Sequence, residues 1–146
     1  MLPVMRALLD VNVLIALHDV DHVHHRVASQ WFIDHADFGW ASCTLTQNGC
    51  LRIMSQPSYS NPQPLSQIVR MLRRSTQSAS HVFWSDDFSL LDAERFEHLH
   101  IHSARQLSDL YLLALAVRHA GRFVSFDQRI PLSAVRGARA EHIVLL

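Results

Sequence analysis

Arg6-Ala7-Leu8-Leu9-Asp10-Val11-Asn12-Val13-Leu14-Ile15-Ala16-Leu17 holds the change of hydrophobic pattern that decides the fold. The apolar run from Val4 to Leu9, punctuated only by Arg6, ends abruptly at Asp10. That reads as a buried strand delivering a carboxylate at its C-terminal end. Asn12 is placed to cap a short helical turn over Val13 to Leu17. Working outward, Val23, Val27, Trp31, Phe32 and His35 recur at helical spacing after Asp21 and predict an amphipathic helix to about Ala36. Gly39 stops it, and Trp40 to Cys43 fits a second strand. Thr46 is the expected N-cap of a helix carrying Gln47, Cys50, Leu51 and Met54. The turn-rich Gln56 to Pro64 reads as a surface loop, and Leu65 to Arg74 as a helix with Arg70, Arg73 and Arg74 outward. A strand over His81 to Trp84, a helix over Ser89 to Phe96 and a short strand over Leu99 to Ile101 follow. The longest helix is expected from Ser103 to Ala120, closed by Gly121 as its C′ residue. Phe123 to Phe126 is a strand ending at Asp127, and Ile143 to Leu146 a final strand. Strands alternating with helices point to an α/β fold with a mainly parallel sheet covered on both faces.

The chain has 146 residues, 49% hydrophobic and 18% charged, enough for one sizeable core and too apolar for disorder. Residues 1–146 therefore read as a single domain. Four Gly and five Pro exclude a collagenous or linker-like chain. The longest strong apolar run, Leu110 to Val117, suits a buried helix and falls short of a membrane span. No cationic segment leads into a long apolar stretch at the start, so a cytoplasmic location is expected. Cys43 and Cys50 form no CxxC pair and read as free thiols. Thirteen basic residues, all Arg, balance thirteen acidic ones. That excludes a strongly cationic nucleic-acid binder and leaves room for a local basic face. Eleven His are scattered without an HExxH or Cys/His pattern, which argues against zinc.

Chemistry in open α/β sheets gathers at the carboxyl ends of strands. Asp10 and Asp127 both fall there, and Asp109 heads the apolar helix Leu110 to Val117. Singly, each has a structural reading: a cap for Asp10, an Asx-turn for Asp127, a first-turn carboxylate favoured by the helix dipole for Asp109. Together, three carboxylates in one cleft repel unless something positive sits among them, and a hard divalent ion meets that need. Other features have plain readings beside functional ones. Asp21, His22, His24 and His25 could ligate a metal or simply start a helix. Trp31, Phe32 and Trp40 could stack bases or fill the core.

The chain resembles the PIN-domain ribonucleases, in particular the VapC-type toxins. The residues that carry this are Leu8-Leu9-Asp10-Val11-Asn12-Val13-Leu14-Ile15-Ala16-Leu17, Leu107-Ser108-Asp109-Leu110-Tyr111-Leu112-Leu113-Ala114-Leu115-Ala116 and Val124-Ser125-Phe126-Asp127. Between them lie Leu45-Thr46-Gln47-Asn48-Gly49-Cys50-Leu51-Arg52-Ile53 and His81-Val82-Phe83-Trp84-Ser85-Asp86-Asp87. The resemblance implies a three-layer α/β/α sandwich and Mg2+- or Mn2+-dependent cleavage of single-stranded or loop RNA. It also implies a cognate antitoxin that covers the site, and a homodimer. Asp10, Asp109 and Asp127 match three of the family's four acidic positions, Asn12 and Ser125 match supporting polar ones, and Gln47 falls where Glu is usual. Gln keeps an oxygen acceptor but loses a charge, which leaves a weakened RNA- or protein-binding module as the alternative. Asp19, Asp86 and Asp87 are possible substitutes for the missing carboxylate. Arg52, one and a half turns beyond Gln47, could reach a phosphate or pair with an aspartate.

Overall fold

Each of the five strands is only three or four residues long and runs parallel to its neighbours, in the order β3-β2-β1-β4-β5. The computed structural model describes residues 5–146; Val4, the first residue of the expected opening strand, lies outside them. The strands are β1 (Ala7–Leu9), β2 (Trp40–Ser42), β3 (His81–Phe83), β4 (Arg122–Ser125) and β5 (Ile143–Leu145). The helices are α1 (Val11–His18), α2 (His25–Asp34), α3 (Thr44–Ser55), α4 (Leu65–Thr76) and α5 (Leu107–Arg118). Side chains alternate along the strands and separate two cores. Leu8, Ala41 and Phe123 pack with α5 on one face, and Ala7, Leu9, Trp40 and Val124 pack with α1 to α4 on the other. The result is a three-layer α/β/α sandwich. On α5 every residue from Leu110 to Ala116 is buried, as an apolar run without a polar stripe requires.

Several boundaries differ from the sequence reading for identifiable reasons. Asp10, not Asn12, caps α1, because its carboxylate accepts from the Val11 N–H at 2.7 Å and the helix starts one residue before Asn12. Thr46 lies inside α3. The N-cap is Cys43, whose N–H donates to Thr46 Oγ1 at 3.0 Å. No helix forms over Ser89 to Phe96, where Ser89 Oγ accepts from the Leu91 N–H and Asp92 Oδ1 from the Glu94 N–H. These side chains take the backbone donors a helix would need. Leu99 to Ile101 is not a strand: His98–His100 forms a 3-10 turn and Leu99 is 85% exposed. A separate 3-10 turn, Ala104–Gln106, precedes α5, so the regular helix is shorter than expected.

The C′ position of α5 is Ala120, with φ 51°, and not Gly121. Its N–H donates to Val117 O at 3.1 Å and the Gly121 N–H to Ala116 O at 2.8 Å, the paired bonds of a Schellman motif. Gly121 answers a different need, since a Cβ there would stand 2.6 Å from Arg6 O and 2.7 Å from the Trp84 ring. Close packing of the helix end against β1 requires the glycine; the left-handed turn is made by its neighbour.

Candidate active site

Consecutive strands β1, β2 and β3 extend the sheet one way from β1, and β4 and β5 extend it the other. The crevice outside the carboxyl ends therefore opens between β1 and β4. Their register pairs Leu9 with Val124, so Asp10 and Ser125 come next on the two strands. Ser125 Oγ donates to Asp10 Oδ2 at 2.6 Å and accepts from the Asp127 N–H at 2.9 Å. Asp127 Oδ1 accepts from the Arg129 N–H at 3.0 Å and so shapes the turn that follows. One buried hydroxyl thus holds the Asp10 carboxylate and the Asp127 backbone together.

The first turn of α5 supplies Asp109, and the three aspartates line one cleft of about 670 Å3. Asn12 and Ile15 of α1, Asn48, Gly49 and Arg52 of α3, and Ser108 and Leu112 of α5 complete its walls. Gly49 permits the contact between α1 and α3, since a Cβ there would stand 2.6 Å from Val11 Cγ2.

Burial pushes Asp109 up to about 7, helped by the Asp10 charge and by the hydrogen bond to, and charge of, Asp127. Burial also raises Asp10 above the ordinary carboxylate range, against the lowering effect of its bonds from Ser125 and Val11 and with a smaller push from Asp127. Asn12 Oδ1 is buried in the same cleft without a hydrogen-bond partner. Clustered carboxylates and an unsatisfied amide oxygen form an all-oxygen donor set, which fits a hard divalent cation. Among the described residues no group of three His, Cys, Asp or Glu stands ready-made to grip an ion.

Gln47 is not brought to this cleft. Its Nε2 donates to Ser42 Oγ at 2.9 Å, and its side chain faces Val69, Leu72 and Arg73 across the groove between α3 and α4. The α3 residue that lines the acid cleft is its neighbour Asn48, with Leu45, Gly49, Arg52 and Ile53 on the same helix face. Sequence reading missed Asn48 and Ser108. The i, i+3, i+4, i+7 series from Leu45 held the signal for Asn48, but counting from Gln47 hid it. Arg52 lines the cleft and has no carboxylate partner among the described residues.

The proposed substitutes lie elsewhere. Asp19 accepts from Tyr59, Asn61 and the Asp21 N–H, and Asp87 pairs with Arg118 at 2.6 Å. Asp86 is exposed and does not line the cleft.

The fold and this switch-point cleft agree with the family comparison, in which the PIN domain model matches residues 7–137, and the chain belongs to the PIN-domain family. It is 50% identical over 142 residues to Ribonuclease VapC44 of Mycobacterium tuberculosis, an alignment covering 97% of this chain and all of that protein. Ribonuclease VapC39 of the same organism is 40% identical over 134 residues, 91% of this chain and 96% of its own length. Ribonuclease VapC38 is 38% identical over 122 residues, covering 83% and 84% respectively.

Proposed function

We propose that the protein is an endoribonuclease of the VapC type that cuts single-stranded or loop RNA in the Asp10–Asp109–Asp127 cleft with the help of Mg2+ or Mn2+. The observation that carries this reading is the convergence of three carboxylates and the unpartnered Asn12 Oδ1 on one cleft at the topological switch point. Asp10, Asp109, Asp127 and Asn12 would hold the cation. When bound, it supplies the positive charge that a phosphodiester needs as it is cleaved.

The chain's own groups do the rest. Ser125 holds Asp10 in place through its hydroxyl and fixes the Asp127 backbone, so both carboxylates meet the cleft at a set angle. Burial and the neighbouring carboxylates raise Asp109 to about 7, so it takes up a proton more readily than an ordinary carboxylate, which relieves the repulsion among the acids. Arg52, free of any ion pair among the described residues, offers its guanidinium to an RNA phosphate from the α3 wall. Gln47 gives no support to a weakened binding module, because its amide is turned toward Ser42.

By the same reading the protein works as a cytoplasmic homodimer and is silenced by a cognate antitoxin. The names of the VapC relatives support the part of this reading that concerns the antitoxin.

The decisive experiment incubates RNA with the parent and with Asp109→Asn across a Mn2+ titration, with chelator as control. Cleavage by the parent alone, abolished by chelator, is expected. Equal cutting by the mutant removes Asp109 from the site. Expression of the chain alone should arrest growth, and co-expression with the adjacent reading frame should restore it. Equal growth in both cases rejects the toxin assignment.

A further inference from the structure

The ring of His24 lies face-on against Phe126, with centroids 4.7 Å apart and planes 27° apart. Phe126 stands in the chain between Ser125, which holds Asp10, and Asp127, which lines the cleft. Its own ring packs inward against the core beneath α1 to α4, so it is anchored. His24 precedes the first turn of α2, is exposed, and makes no side-chain capping bond to that helix. Its hydrogen bonds are made by the backbone alone: the N–H donates to His22 Nδ1 at 3.0 Å and the carbonyl accepts from the Ala28 N–H at 3.0 Å. The His22 ring follows at 5.7 Å, tilted by 46°. A half-buried aromatic, one residue along the chain from Asp127 of the acid cleft, therefore supports an exposed imidazole whose ring has no hydrogen-bond partner among the described residues.

Single-stranded RNA presents bases free to stack, and stacking on a flat side chain tolerates any base. We propose that His24, backed by Phe126, is a stacking subsite for one unpaired nucleobase next to the scissile phosphate. This rests on the ribonuclease reading above. It assigns the selection of unpaired over helical RNA to a platform outside the acid cluster, since a base held in a duplex cannot splay onto the ring.

The test uses the shortest hairpin oligoribonucleotide that the parent cuts, bound by full-length protein carrying Asp109→Asn so that it stays intact. In that background His24→Ala should weaken binding about tenfold or more, the range seen when a base loses its aromatic partner. His24→Phe, which keeps the flat face and removes the polar ring atoms, should restore it. Abasic substitution at one loop position should cost the same factor in the His24 protein and nothing further in His24→Ala. In the cleaving protein, His24→Ala should raise KM by a like factor.

Unchanged binding by His24→Ala overturns the subsite. So does a His24→Phe protein as weak as His24→Ala, because the contact would then be polar, and so does abasic loss that is independent of His24. If the parent cuts no RNA with Mn2+, the ribonuclease reading itself fails and the subsite falls with it. Cleavage by the parent together with an inert His24 rejects the subsite alone.

Discussion

Ser125 is the residue on which the cleft's geometry depends most. It is fully buried, and its hydroxyl serves Asp10 and the Asp127 N–H at once. Ser125→Ala removes both bonds and leaves a buried carboxylate short of a donor, so a loss of about 1–3 kcal/mol is expected in chemical denaturation. Activity should fall with it, because Asp10 is no longer held. Ala120 presents the opposite case. A non-glycine residue at φ 51° is strained by about 1–2 kcal/mol, and glycine at the C′ position relieves that while adding unfolded-state entropy. Ala120→Gly should therefore raise the thermal midpoint modestly. The same substitution logic reverses at Gly121, where any Cβ meets Arg6 O, and Gly121→Ala should destabilise.

At the scale of the element, α3 is where sequence and structure part most instructively. Its existence, its place after β2 and its contact with the cleft were legible from the chain, but which face it shows was not. A one-residue shift on a helix turns a side chain by about 100°, enough to carry Gln47 into the α4 groove and bring Asn48 to the acids. Gln47→Glu should leave the Mn2+ dependence of cleavage unchanged. Asn48→Asp should lower the Mn2+ concentration for half-maximal rate by about tenfold, by adding a charge to the donor set. The reverse pattern would restore Gln47 to the site. The strands β1 and β4 and their terminal acids were legible because an apolar run ending in Asp has few other readings. The segment from Ser89 to Ile101 was not. Its backbone is taken by the side chains of Ser89 and Asp92, and its only strand-like pairing is the isolated bridge between Phe96 and Val135. Neither feature leaves a hydrophobic period to read.

For the molecule as a whole, the raised carboxyls make stability without cation depend on pH. Asp109 titrates near 7 in the folded protein and near 4 unfolded, so between those values the folded state binds more protons. Stability is then fullest below the unfolded value and is lost as pH rises through the folded one, and Asp10 acts in the same direction. In chelator, Asp109→Asn should gain melting temperature over the parent more at roughly pH 8 than at roughly pH 5, while His18, His22, His81 and His119, whose imidazoles burial lowers, favour the higher pH in both proteins. An unchanged slope in that mutant would mean that Asp109 is an ordinary exposed acid.

The pairing of β1 with β4 has a consequence for synthesis as well. Asp10 and Ser125 are separated by 115 positions, and Asp109 also follows late. A nascent chain emerging from the ribosome displays its first acid early and has nothing to assemble it with until α5 and β4 have cleared the exit tunnel. Translation of the preceding hundred or so residues yields no cleft, and therefore no nuclease that could attack the messenger or the ribosome producing it. The interval between the release of β4 and its docking beside β1 is the window in which an inhibitor must find its target.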